Sequence, residues 1–277
     1  MASNFDNWIG KTDDQKDVVT PALIERYSAV IGAKSLEGIA PKGLHWCLCL
    51  PDAPMAELGE DGHPKTGGFL PPSPLPRRMW ASSKVEFLAD IKANAPIKRR
   101  SKIASVSEKT GRSGSLLFVN VDHVTSLNDI MAVKETQTIV YRDAPKEKMI
   151  LPQTGEVDLS AWDKSERLTP NTALLFRYSA LTFNTHRIHY DHHYATQAEG
   201  YPALVVHGPL MASLLLRFAN EHASGRKIHK FEFRGLAPAF CNQKLFLAAN
   251  DIEGGLDLAV IGADGQKRMA ANVSFKI

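Results

Sequence analysis

The run Pro209-Leu-Met-Ala-Ser-Leu-Leu-Leu-Arg-Phe218, entered through His207-Gly208 and continuing to Glu221, decides the fold. Proline suits the first turn of a helix, where its missing N–H costs nothing. Apolar residues cover nearly all of the first ten positions instead of one stripe, so the helix must be buried on most sides. Downstream, residues 231–240, 244–253, 256–262 and 268–276 form short runs with partial alternation. Gly254-Gly255 and Asp264-Gly265 fall between the later runs and read as hairpin turns. One helix wrapped by a curved antiparallel sheet accommodates both patterns.

The chain starts this way twice. Thr20-Pro21 is followed by Arg26-Tyr27-Ser28-Ala29, and Thr169-Pro170 by Arg177-Tyr178-Ser179-Ala180. In each, Thr is a good N-cap, Pro suits the first helical position, and apolar residues recur at helical spacing. A shared start separated by about half the chain points to duplication. The first half then offers strand-like runs at 78–88, 102–109, 115–123 and 133–142, with a turn at 111–114. Each half is therefore expected to be a helix, a second helical run and about four antiparallel strands. Residues 59–76, with four Gly and five Pro, read as a long loop or lid. Residues 152–165 read as a linker that a sheet edge can tie down. The expected units are 1–150, without a catalytic motif, and 166–277, carrying one.

Composition narrows the function classes. Hydrophobic residues make up 44 % of 277 and the net charge is +3, so a core is assured and no nucleic-acid partner is implied. Cys47, Cys49 and Cys241 form neither a disulfide framework nor a zinc pattern and read as reduced thiols. No segment reaches the roughly 18 apolar residues of a membrane span, and the N-terminus lacks a targeting pattern. The expected location is the cytoplasm.

Five of the ten histidines fall in residues 183–209: His186, His189, His192, His193 and His207. Histidine alone titrates near neutrality unperturbed, and Asn184, Arg187 and Asp191 lie among them. Such density reads as acid–base chemistry. A helix opening at His207-Gly208-Pro209 also turns free N–H groups and its positive dipole end toward whatever precedes it.

These residues resemble the (R)-specific enoyl-CoA hydratase, or MaoC-like, family. Its loop typically reads Asp-x-Asn-Pro-x-His-x-Asp. Here His189 and Asp191 match the motif's His and final Asp, Asn184 stands where the catalytic Asp normally is, and His186-Arg187 replace Asn-Pro. That variant, together with Pro-Leu-Pro-Arg-Arg-Met-Trp at 74–80, is similar to the subfamily of mesaconyl-C4-CoA and itaconyl-CoA hydratases. The resemblance implies an α+β double hot-dog, two fused halves pairing their antiparallel sheets around central helices. It implies a hydro-lyase acting on a short branched dicarboxylate mono-CoA thioester, with no cofactor and no metal.

Hydrating an enoyl thioester takes a base for water, a proton for the α-carbon and donors for the enolate oxygen. The implied catalytic set is His189 for the proton work, Asn184 to hold the water, and the Gly208 N–H as oxyanion donor. His186, Asp191 and His207 are supporting candidates. His186 is open between a second catalytic group and a hydrogen-bonded loop residue, and Asp191 between fixing the imidazole tautomer and capping the next helix. Arg187, then Arg78, then Arg77 are candidates for a substrate carboxylate or CoA phosphate, and the basic run 98–102 for a CoA phosphate or a solvated strand end. Other readings are a 3-hydroxyacyl-thioester dehydratase of fatty-acid synthesis, a non-catalytic acyl-CoA-binding protein, and a metalloprotein using His189, Asp191 and His193. A homodimer is left open.

Overall fold

The computed structural model describes residues 5–34, 38–111, 114–144 and 147–276. The expected turn at 111–114 lies partly outside them. The first half runs β1 (Thr12–Val18), α1 (Pro21–Ile31), β2 (Arg77–Phe87), β3 (Pro96–Gly111), β4 (Gly114–Leu127) and β5 (Ile130–Arg142). The second runs β6 (Lys164–Leu168), α2 (Thr172–Thr182), α3 (Gly208–Glu221), β7 (Ile228–Gly235), β8 (Leu245–Ile252), β9 (Gly255–Gly262) and β10 (Lys267–Phe275). All ten strands form one antiparallel sheet in the order β1-β3-β4-β5-β2-β7-β10-β9-β8-β6. The order is the same read outward from its middle in either direction, as duplication requires. The halves join where β2 meets β7, from Ser82 opposite Arg234 to Glu86 opposite Lys230. This is the expected α+β double hot-dog.

The core follows from α3. Nine of its residues are buried, Leu210, Met211, Ala212, Ser213, Leu214, Leu215, Leu216, Phe218 and Ala219. They pack with Phe231, Leu247, Leu258, Val260 and Val273 of the surrounding strands. At about 25 cal/mol per Å² of apolar surface buried, such a helix is held mainly by the sheet around it.

Two expectations need correction. Among the described residues the first half has no second long helix: a short 3-10 turn, Leu44–Cys47, stands in its place. That half also holds a buried polar group. Glu135 on β5 is buried, accepts from Trp46 Nε1 at 3.1 Å and from Ser83 Oγ, and faces His45 Nε2 at 3.3 Å. Thr20 does cap α1, accepting from Leu23 N at 3.1 Å, but α2 starts two residues later than read, with Asn171 accepting from Leu174 N at 2.9 Å. The stretch read as a linker is tied to the sheet edge as expected: it ends in β6, which pairs with β8.

The basic run 98–102 lies on β3 opposite the acidic β1. Arg100 pairs with Asp14 at 2.8 Å, Lys98 with Asp129 at 2.7 Å, and Arg99 donates to the Leu48 carbonyl at 3.0 Å. The solvated-strand reading describes it. All three cysteines are unpaired and buried. Among the described residues no helix is long and apolar enough to cross a membrane.

Candidate active site

α2 ends because Phe183 takes a left-handed conformation, φ +47°, which turns the chain sharply into the histidine loop. Asn184 Oδ1 accepts from the His186 backbone N–H at 2.9 Å, a side-chain-to-backbone turn that fixes the loop's start. A 3-10 turn, Arg187–His189, then buries Ile188 and His189.

His189 is held on two sides. Its Nδ1–H donates to the Val205 carbonyl at 2.7 Å, and its ring stacks on His207 with centroids 3.6 Å apart and planes 20° apart. A carbonyl only accepts, so Nδ1 carries the proton and Nε2 keeps its lone pair. Burial pushes the His189 pKa down to about 4, against the opposing pull of the Val205 carbonyl. His207 is fully buried, with Nε2 at 2.8 Å from Ser179 Oγ, and burial holds it well below the ordinary histidine range. Gly208 follows directly as the first residue of α3, with its N–H in the turn where no intrahelical acceptor exists.

The structure assigns Asp191 the capping role. It accepts from Tyr194 N at 2.9 Å and pairs with Arg187 Nη2 at 2.8 Å, while Val205 holds the imidazole. Arg187 is committed there, lies 4.1 Å over the Tyr194 ring and donates to the Glu60 carbonyl at 3.1 Å. Arg77 is buried and pairs with Glu199 Oε2 at 2.8 Å. Arg78 is half-buried, and its charge acts on Asp61, His63 and His186. Of the three, Arg78 alone has no ion-pair partner among the described residues, its side chain meeting Tyr141, so it replaces Arg187 at the head of the order. His192 and His193 are exposed, so the metal set of His189, Asp191 and His193 does not assemble.

Two residues that the sequence reading left inside a loop join the site. Asp61 and His63, from 59–76 of the first half, reach the histidine loop. His63 Nδ1 lies 2.8 Å from Asp61 Oδ2, and its ring lies against that of His186, with centroids 4.1 Å apart. His186 in turn meets His189 edge-on at 5.4 Å. Burial lowers the His63 pKa, with Arg78 adding to it and Asp61 opposing. Burial also resists ionisation of Asp61, but the hydrogen bonds and charge of His63 outweigh it and hold the carboxyl below its usual value. His186 is pushed far down by burial, helped by His63 and His189. The donor atoms of Asp61, His63 and His186 all lie within 4.8 Å of one another. The site thus gathers four imidazoles, one carboxylate and the N-terminus of a helix.

The family model of hydroxyacyl-thioester dehydratase type 2 matches residues 43–241. The mesaconyl-C4-CoA hydratase of Chloroflexus aurantiacus is 40 % identical over 272 residues, 97 % of this chain and 96 % of that one. Among solved structures, HtdX of Mycobacterium tuberculosis superposes with a TM-score of 0.72 at 20 % identity, covering 96 % of this chain and all of that one. A double hot-dog protein of the same organism superposes with a TM-score of 0.60 at 11 % identity, covering 96 % of each chain.

Proposed function

The chain belongs to the hydroxyacyl-thioester dehydratase type 2 family, and on that premise we propose that it hydrates a short branched dicarboxylate mono-CoA thioester, mesaconyl-C4-CoA, to citramalyl-CoA. The observation that carries the reading is the arrangement of His189, with Nδ1 tied to the Val205 carbonyl and Nε2 left as a lone pair, immediately before the opening of α3.

The steps follow from that arrangement. Water donates to His189 Nε2, and its oxygen bonds the β-carbon as the proton moves to the imidazole. The π electrons pass to the α-carbon and thioester oxygen, where the Gly208 N–H and the α3 dipole stabilise the enolate. The α-carbon then takes a proton, and the product is neutral with respect to the start. Asn184 is an amide and does not titrate, so its part is to hold the water. An added Cβ at Gly208 would meet only the Trp80 carbonyl, at 3.7 Å, so the protein itself has room there. The small residue serves the approach of a ligand.

In mesaconyl-C4-CoA the free carboxylate hangs on the carbon that water attacks. A cation beside the histidines is then needed, and Arg78 is that cation. The same groups acting in reverse dehydrate a 3-hydroxyacyl thioester, the reaction the family is named for, but a plain fatty acyl chain gives Arg78 nothing to bind. Itaconyl-CoA enters the same site if its double bond first moves into conjugation, a proton shift suited to His189. The chemistry is acid–base addition and calls on no cofactor. In this reading residues 166–277 carry the chemistry and 1–150 complete the groove. We assign the protein to the cytoplasm, in keeping with its three unpaired cysteines.

The test is loss of enoyl-thioester absorbance across mesaconyl-C4-CoA, itaconyl-CoA and crotonyl-CoA. The expected result is fastest turnover of mesaconyl-C4-CoA. Turnover of none would overturn the reading, and a preference for crotonyl-CoA would overturn the assignment of Arg78.

A further inference from the structure

We propose that Asp61 and His63 supply, from the first half of the chain, the active-site carboxylate that position 184 lacks. The proposal rests on the hydratase reading above.

The need is electrostatic. When His189 takes the proton of water it becomes an imidazolium, buried and stacked on another imidazole. Its Nδ1 partner is a carbonyl, which bears no net charge, and residue 184 is an amide. Asp191, nearest in sequence, is spent on Arg187 and the Tyr194 N–H. Among the described residues the one carboxylate facing the imidazole cluster is Asp61, which the cluster reaches through His63 and His186. An opposite charge within a few ångströms favours the protonated ring by about 1–3 pKa units, less when relayed through neighbours. The other charges facing the cluster, Arg77 and Arg78, are positive and act the opposite way, as would His63 if it were protonated, so His63 serves as the neutral partner of Asp61.

The contact between the halves is built for this. Arg187 N donates to the Asp61 carbonyl at 2.9 Å, and Thr185 Oγ1 donates to the Gly62 carbonyl. Gly62 sits at φ +89°, and a Cβ there would lie 1.9 Å from the Thr185 carbonyl oxygen. Only glycine allows the two loops so close, and that closeness brings His63 onto His186. His63 Nδ1–H donates to Asp61, which orients the ring and leaves Nε2 on the far side.

In the reaction the O–H bond of water breaks, its proton goes to His189 Nε2, and the C–O bond forms at the β-carbon. The same proton is then delivered to the α-carbon, and His189 returns to neutral. Asp61 and His63 undergo no net change. They are positioning residues that hold the counter-charge while His189 is positive.

The experiment is a rescue. Asp61→Asn keeps the size of the side chain and removes its charge. It is assayed on mesaconyl-C4-CoA beside wild type, Asn184→Asp and the double variant, with thermal unfolding of each. Asp61→Asn should fold, keep its KM within about twofold and lose at least about tenfold in kcat, with the acid limb of kcat/KM displaced to lower pH. Restoring a carboxylate at 184 should return most of that loss. His63→Gln should behave like Asp61→Asn and be rescued in the same way. Full activity of Asp61→Asn would overturn the proposal, as would a loss that Asn184→Asp leaves unrepaired. Activity removed by a chelator and restored by zinc would also overturn it, since Asp61, His63 and His186 would then be metal ligands. A wild type that turns over no enoyl-CoA would instead sink the hydratase reading itself, and this proposal with it.

Discussion

The burial of His189 sets an acid-stability cost that can be measured without any substrate. Its pKa is about 4 in the fold, pushed down by burial, against about 6.5 in an unfolded chain. Between those values the unfolded state binds the proton and the folded state does not, so stability falls as pH falls. The loss begins near the unfolded value and stops growing below about 4. At pH 5 the unfolded imidazole is almost wholly charged and the folded one almost wholly neutral, which costs about 2 kcal/mol from this residue alone. The perturbation is His189→Gln, which removes the titration. Urea unfolding of both proteins at pH 7.5 and 5.0 gives the two pH-dependent losses. His186 and His207, also buried and depressed, are present in both proteins and cancel in the comparison. The variant should lose about 2 kcal/mol less than wild type over this interval. Equal losses would mean that His189 is not held neutral in the fold, and the reasoning from its burial would fail.

Three further outcomes follow from the site. Arg78→Met should raise KM for mesaconyl-C4-CoA at least about tenfold while leaving crotonyl-CoA nearly unchanged, as steady-state kinetics on the two esters would record. Arg77→Met should instead destabilise the fold by about 3–5 kcal/mol, because it strands the buried Glu199 carboxylate; a change below about 1 kcal/mol in urea unfolding would refute the pairing. Gly208→Ala should unfold at the wild-type temperature, since the added Cβ has space beside Trp80, yet lose kcat by crowding the thioester; unchanged kcat would remove Gly208 from the oxyanion site.

Much of this was written in local sequence. Alternation located eight strands because each has one face on the core, as in β5 with Val133, Glu135, Ile139 and Tyr141 buried. β1 escaped notice because Thr12–Val18 is a polar edge strand with no buried residue, and its pattern carries no hydrophobic period. The missing central helix of the first half was hidden for another reason. The duplicated helix start at Thr20 predicts a second copy of everything after it, whereas the core there is filled by Leu44, Trp46, Cys47 and Leu48 around one short turn. In the site, His186, His189 and His207 stood out because titratable residues crowd one segment. Asp61 and His63 did not, because their partners lie over 120 residues away and only the docking of the Gly62 loop brings them together. The sequence ranked the three arginines Arg187, Arg78, Arg77, but the ion pairs of Arg77 with Glu199 and of Arg187 with Asp191 are visible only in the fold.

The central claim is that His189 moves the proton in hydration of an enoyl thioester. Its most direct test is kcat/KM for mesaconyl-C4-CoA, from the decay of enoyl-thioester absorbance, in wild type and in folded His189→Gln. The account predicts rapid decay with wild type and a loss of at least about a hundredfold in the variant. A folded His189→Gln protein that hydrates the ester within about tenfold of wild type would contradict it.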